Sequence, residues 1–189
     1  MAKAMVTPPS GQPVTLAQAK AHLKVETNDE DAYLQELIAS AVAAVEAETG
    51  KVMLTQTWRL YLDDWPACGL VELPVAPVRS VGPVNVYAAN GTPSPIAAAD
   101  YLLDRHGEPP RLFFRKRPDA GREINGIEID IVAGYGEAGT DVPDQLVRAV
   151  LVLVAHWHAH RGAASEAAFA GSFPKGFAAL VAPFRQVRL

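Results

Sequence analysis

Apolar positions along this chain keep two different rhythms, with the change near Leu54. Thr15-Leu16-Ala17-Gln18 has capping-box spacing: Thr15 is placed to accept a backbone N–H of a first turn while Gln18 reaches back. Leu16, Ala19 and Leu23 then share one face, which predicts a short helix to about Val25. Asn28 to Asp31 sets acidic residues where the positive end of a helix dipole favours them. Leu34, Leu37, Ile38, Ala41, Val42 and Val45 come next at helical spacing until Gly50, a natural stop. The alanines of this second helix allow a close neighbour. Residues 14–53 therefore read as a helical hairpin.

From Leu54 the period shortens. Thr57 to Leu62 is rich in aromatic and β-prone residues and reads as a strand. Further short strands are predicted at Leu70–Leu73, Val84–Tyr87, Tyr101–Leu103, Leu112–Phe114 and Ile127–Val132. Ile127, Ile129 and Ile131 alternate with Glu128, Asp130 and Val132, so one face should be buried and the other mostly wet. Ala89 to Thr92 and Gly107 to Pro110 have turn chemistry, and prolines at 74, 77, 83, 93 and 95 keep the strands short. Residues 54–136 read as a small antiparallel β module inserted between helices.

The helical period returns after Gly134-Tyr135-Gly136. Asp141 and Pro143 sit where helices begin, and Leu146, Ala149, Val150, Leu153, Val154 and Trp157 mark a strongly apolar helix ending near Arg161-Gly162. Its breadth of apolar surface implies burial on more than one side. Ala163 to Ser172 is a small-residue linker, Lys175 to Val181 a last short helix, and Pro183 its end, so that 137–183 holds a central buried helix and a short one. Ahead of the hairpin, residues 1–13 carry three prolines and no period and should form a flexible or extended arm. The fold class is α+β, a bundle of about four helices with an inserted β module. Its core should bury Leu37, Ile38, Val42, Val150, Leu153 and Val154.

Composition narrows the function. At 189 residues the chain fits one domain with a sizeable insertion. A net charge of −4 and a pI near 5.7 argue against a protein that grips nucleic acid through its overall field. Cys68 is the only cysteine, which excludes an intrachain disulfide. Met1 to Gly11 lacks a signal-peptide core, and the most apolar run, Ala149 to Ala155, is far short of the ~20 residues a membrane helix needs. The expected setting is the cytoplasm, or a particle built there.

Candidate chemistry is thin. His156, His158 and His160 suggest a metal site, but on a helix only His156 and His160 share a face, and a third ligand must come from elsewhere. Trp157 stands where a metalloprotease helix has its glutamate. Asp63-Asp64, or Glu128 with Asp130, could be imagined as acid–base pairs, yet no nucleophile or positioned histidine accompanies them. Cys68 lies in a turn with no partner base in view. Gly134 and Gly136 form no phosphate-cradling loop. Arg111, Arg115, Lys116, Arg117 and Arg122 around Leu112-Phe113-Phe114 form a basic cluster. It is suited to a solvated rim, to salt bridges between subunits or, as the alternative, to a DNA-binding module.

The order of these passages resembles the head–tail connector (adaptor) family of long-tailed phages, prophages and gene-transfer-agent particles. Thr15 to Leu23 is similar to the family's opening helix, Asp29 to Leu34 to its second, and Thr55-Gln56-Thr57-Trp58 to the start of its insertion. Val142-Pro143 through Trp157 with Arg161 resembles its central helix, and Phe173 to Arg185 its closing segment. His158 stands where a tyrosine is expected, and Phe184 is also often tyrosine. The resemblance implies a structural protein without an active site or cofactor. It implies a ring, usually of twelve subunits, seated on the portal of a DNA-filled capsid, with a tail-completion (stopper) protein on its far side and DNA passing through. Phe184, Arg185, Val187, Arg188 and Leu189, apolar residues interleaved with arginines at the end of the chain, are the expected portal-binding tail, residues 184–189. Arg111, Arg115 and Arg117 are expected to meet a neighbouring subunit or face the bore.

Overall fold

The Thr15 capping box closes in both directions: Thr15 Oγ1 accepts from the Gln18 N–H at 3.2 Å, and Gln18 Oε1 accepts from the Thr15 N–H at 2.8 Å. It opens α1 (Leu16–Leu23). Lys20 Nζ ties α1 to the start of the second helix, bonding Asn28 Oδ1 and Asp31 Oδ1 at 2.7 Å each. That helix, α2 (Asp31–Thr49), ends on Gly50 at φ 66, a left-handed position that glycine takes without a Cβ clash. α3 (Asp144–Ala159) comes directly after Pro143, and α4 (Phe177–Val181) directly after Gly176. The last helix thus starts two residues later than Lys175, because Gly176 sits at φ 93 and breaks the helical run.

The computed structural model describes residues 1–160 and 173–185. They fall into two units, one of 11–54 with 136–160 and 173–185, the other of 1–10 with 55–135. In the helical unit α3 packs against α2 and α4, and α1 touches both α2 and α3. The buried stripe of α2 is Leu34, Ile38, Ala41, Val45 and Thr49; that of α3 is Leu146, Ala149, Val150, Leu153 and Val154. Ile38, Val150, Leu153 and Val154 are in the core as expected, but Leu37 and Val42 are only half-buried. At about 100° per residue these two lie roughly 60–80° to either side of the Leu34–Val45 line, so helical spacing alone drew the apolar face too wide. Leu54 and Gly136, where the chain leaves and rejoins this unit, are held side by side by an isolated parallel bridge.

Among the described residues the β-unit holds eight strands: β1 (Ala2–Thr7), β2 (Gln56–Leu62), β3 (Leu70–Glu72), β4 (Val78–Tyr87), β5 (Pro93–Pro95), β6 (Tyr101–Asp104), β7 (Arg111–Phe114) and β8 (Ile127–Ala133). They form a five-stranded sheet, β1-β2-β8-β4-β5, and a three-stranded sheet, β3-β7-β6, with every pair antiparallel. Residues 1–13 are therefore not the free arm that their prolines predict. Residues 2–7 are extended but paired, with Ala2 opposite Tyr61 and Met5 opposite Trp58, and the Lys3 ammonium lies 4.9 Å from the Trp58 ring centroid. β4 begins six residues before Val84, and Pro83 falls in the irregularity between Val81 and Val84, where no ladder N–H is required of it. On β7, Leu112 and Phe114 point inward. The Phe114 ring makes tilted contacts with Trp65 and Tyr101, at 4.6 and 5.6 Å between ring centroids.

Candidate functional site

The polar face of β8 is not the wet face that alternation predicts. Asp130 is only 8% exposed, because Gly82 of β4 crosses over it; a Cβ on Gly82 would come 3.1 Å from the Asp130 Cβ. The register sets Arg59 of β2 opposite Asp130. Its guanidinium makes a two-pronged contact, Nε to Oδ1 at 2.6 Å and Nη2 to Oδ2 at 2.9 Å, while Nη1 lies 3.2 Å from Glu128 Oε2. Tyr87 of β4 donates its hydroxyl to the same Glu128 oxygen at 2.8 Å. The bond to Asp130 holds the Arg59 guanidinium even more firmly protonated than usual, and the bond to Glu128 together with burial pushes the Tyr87 phenol up. Four side chains thus clamp β2, β8 and β4 together. Glu128 and Asp130, conceivable from the sequence as an acid–base pair, have their carboxylates committed to Arg59, with no nucleophile beside them on the strand.

The members of the basic cluster turn to different partners. Arg111 Nε bonds Asp104 Oδ2 at 2.9 Å, and Lys116 Nζ lies 2.9 Å from Asp100 Oδ1. Arg115 donates to the Ala99 carbonyl, Arg117 to the carbonyls of Pro66 and Ala67, and Arg122 sits over the Tyr87 ring. Arg111, with the N–H groups of Gly107 and His106, holds the Asp104 carboxyl below the usual carboxylate range. Each cation therefore has its own partner: a carboxylate for Arg111 and Lys116, backbone carbonyls for Arg115 and Arg117, and a ring for Arg122. Asp63 accepts from the Asn125 N–H and Asp64 from the Trp65 N–H, both as turn carboxylates. Cys68 is exposed.

The histidines take separate places on the last turns of α3. The rings of His156 and His160 lie tilted against each other at 4.5 Å between centroids, and His160 Nδ1 meets the His156 carbonyl at 2.7 Å. His158 points away, its Nε2 2.9 Å from Glu30 Oε2 beside Tyr33. That contact ties the end of α3 to the start of α2. Among the described residues no group of three or more His, Cys, Asp or Glu side chains converges as metal ligands would.

At the C-terminal side, Ala182–Phe184 forms one 3-10 turn directly after α4, with Phe184 half-buried. Arg185 is exposed and pairs through Nη2 with Glu48 Oε2 of α2 at 2.6 Å. The first two residues of the expected tail are thus anchored to the helical unit; Val187, Arg188 and Leu189 lie outside the described residues.

The model of the phage gp6-like head-tail connector protein family matches residues 13–77. A chain in the virion of a native gene transfer agent particle superposes with a TM-score of 0.83 at 29% identity, covering 100% of this chain and 97% of that one. A chain in the neck of an empty gene transfer agent particle, computed with C6 symmetry, gives 0.83 at 30% identity with the same coverage. A chain in the neck of a native particle, computed with C12 symmetry, gives 0.80 at 29%. Curated proteins give no match.

Proposed function

The chain belongs to the head–tail connector family and is a structural connector, and from that premise we propose that copies of it form a ring of twelve between portal and tail. The observation that carries this reading is the superposition over 100% of the chain on a neck protein whose particle was computed with C12 symmetry. The ring would seat on the portal protein of a DNA-filled capsid, receive a tail-completion (stopper) protein on its other side and let DNA pass through the bore. Assembly would take place in the bacterial cytoplasm. A net charge of −4 suits such a bore, since a subunit that bound phosphates tightly would retard passage. Arg59, Arg111 and Arg185, each paired with a carboxylate, support the same view.

The portal contact would come from the end of the chain: Phe184, Arg185, Val187, Arg188 and Leu189. Support lies in the pair of Arg185 with Glu48, which fixes the start of this stretch to the helical unit. Deleting residues 186–189 tests it without disturbing the half-buried Phe184. The shortened protein should keep its circular dichroism and unfolding midpoint, while particle-producing cells accumulate DNA-filled heads without tails. Normal yields of tailed particles from the shortened chain would refute the assignment.

A further inference from the structure

The two sheets of the β-unit end in four edge strands, β1, β5, β3 and β6. An open edge carries unpaired N–H and C=O groups and recruits other strands unless something blocks it. β5 is blocked by its own sequence, Pro93-Ser94-Pro95, since proline has no N–H to give. β3 is only three residues long. β1, paired only with β2 among the described residues, has Lys3 and a register irregularity between Met5 and Thr7 but neither proline nor shortness to block it: all six residues are exposed, and Met5 and Val6 are 45% and 48% accessible. β6 is paired only with β7 among the described residues, and its Leu102 is 50% accessible. Large apolar side chains therefore stand on two unblocked edges of different sheets.

We propose that β1 of one copy pairs antiparallel with β6 of the next copy, joining the five-stranded sheet of one subunit to the three-stranded sheet of its neighbour. One register satisfies the side chains of both. Setting Met5 opposite Leu102 sets Ala4 opposite Leu103, Val6 opposite Tyr101 and Lys3 opposite Asp104. Lys3 and Met5 share a face of β1, as Leu102 and Asp104 share a face of β6, so the apolar pair and the charged pair line up together. A slip of one residue would turn each strand's exposed apolar residues to opposite faces of the joined sheet. A slip of two would set Met5 against Asp104 or against Asp100.

The charged groups have capacity for the contact. Asp104 accepts from Arg111 on one oxygen and from the N–H groups of His106 and Gly107 on the other, which leaves one of a carboxylate's roughly four acceptor positions. The Lys3 ammonium, over the Trp58 ring, spends one of its three donors on the Pro74 carbonyl at 3.4 Å, and turning toward a neighbouring copy's Asp104 would exchange these contacts for an ion pair. The pairing is also of the right kind for a closed ring. It uses two different edges, so each subunit offers one to the left and one to the right; β1 against β1 would stop at a two-fold dimer. This inference rests on the ring reading above, and the test separates the two.

Particles are produced with a mixture of unlabelled and nitrogen-15-labelled chains and treated with a zero-length carbodiimide, which joins an ammonium to a carboxylate in contact. The expected product is a peptide linking Lys3 to Asp104 in mixed-label pairs, as a contact between copies requires. In parallel, Met5→Cys with Leu102→Cys, in a Cys68→Ser background, should yield a ladder of covalently joined copies on oxidation of the particles; neither single cysteine should do so. Should the paired cysteines prevent assembly, the wild-type cross-link decides alone. Copies present in the neck but with Lys3 joined only to another particle protein, or only within one chain, overturn the β1–β6 pairing and leave the ring standing. So does dimer formation by Met5→Cys alone. Particles that lack the chain altogether overturn both.

Discussion

Replacing Arg59 with methionine keeps the aliphatic stem over β8 and removes the guanidinium. Asp130 then loses hydrogen bonds of 2.6 and 2.9 Å, and Glu128 loses a cation at 3.2 Å. Breaking a fully buried pair costs about 3–5 kcal/mol, while an exposed one is worth ~0–1 kcal/mol. The Asp130 side chain is 12% accessible and the Arg59 side chain 31%, which sets this pair between those limits. We expect Arg59→Met to lose about 2–3 kcal/mol. For a chain of this length that lowers the thermal midpoint by about 5–10 °C. Urea unfolding, followed by both circular dichroism and tryptophan fluorescence to check two-state behaviour, gives the number. Adding Asp130→Leu should recover much of the loss, because the cost lies in the stranded carboxylate and not in the missing attraction. A loss below ~0.5 kcal/mol for Arg59→Met, or a double variant whose loss is the sum of the two singles, would refute the clamp as a stabilising unit.

Leu153→Ala, at a position with no accessible surface, should cost about 2–5 kcal/mol in the same urea experiment. Thr15→Ala opens the capping box and should cost about 1 kcal/mol, with Thr15→Asp close to neutral. Tyr87 has its phenol raised above the ordinary 10.0 by Glu128 and burial, so its contribution is complete below that value and is lost as pH rises through the folded-state pKa. Stability should therefore fall on the alkaline side of about pH 10, and Tyr87→Phe should flatten that decline, leaving the part due to Tyr135, which burial also raises.

What was legible in the sequence is what neighbours in sequence decide. The Thr15–Gln18 box, the Gly50 stop and the isoleucine alternation of β8 each act within a few residues, and each stands where the pattern puts it. β1 is not legible because an edge strand needs a partner on one side only; Ala2–Thr7 carries little alternation, and its place is set by β2, which begins at Gln56. The Arg59–Asp130 clamp joins residues 71 apart, so it depends on a strand register that one sequence does not print. The arginine cluster is legible as a group, but its partners are not: Asp104 and Asp100, which pair with Arg111 and Lys116, and the Pro66 and Ala67 carbonyls, which accept from Arg117, lie in other loops and strands.

The interleaving of the two units, 1–10 with 55–135 and 11–54 with 136–160 and 173–185, sets a timetable for synthesis. β1 leaves the ribosome first, but β2 emerges only at Gln56 and the strand beyond it, β8, only at Ile127. At ~5–20 residues per second the first strand waits on the order of ten seconds for a complete sheet. α1 and α2 wait longer, since the helix that covers them, α3, begins at Asp144. A chain cut short before Ile127 therefore owns neither finished unit, and one cut short at Tyr135 still leaves Leu34, Ile38 and Val45 uncovered. Truncated translation products would be recognised by chaperones and proteases as unfolded chains, so the stock of subunits available to a growing particle is limited to those read through α3.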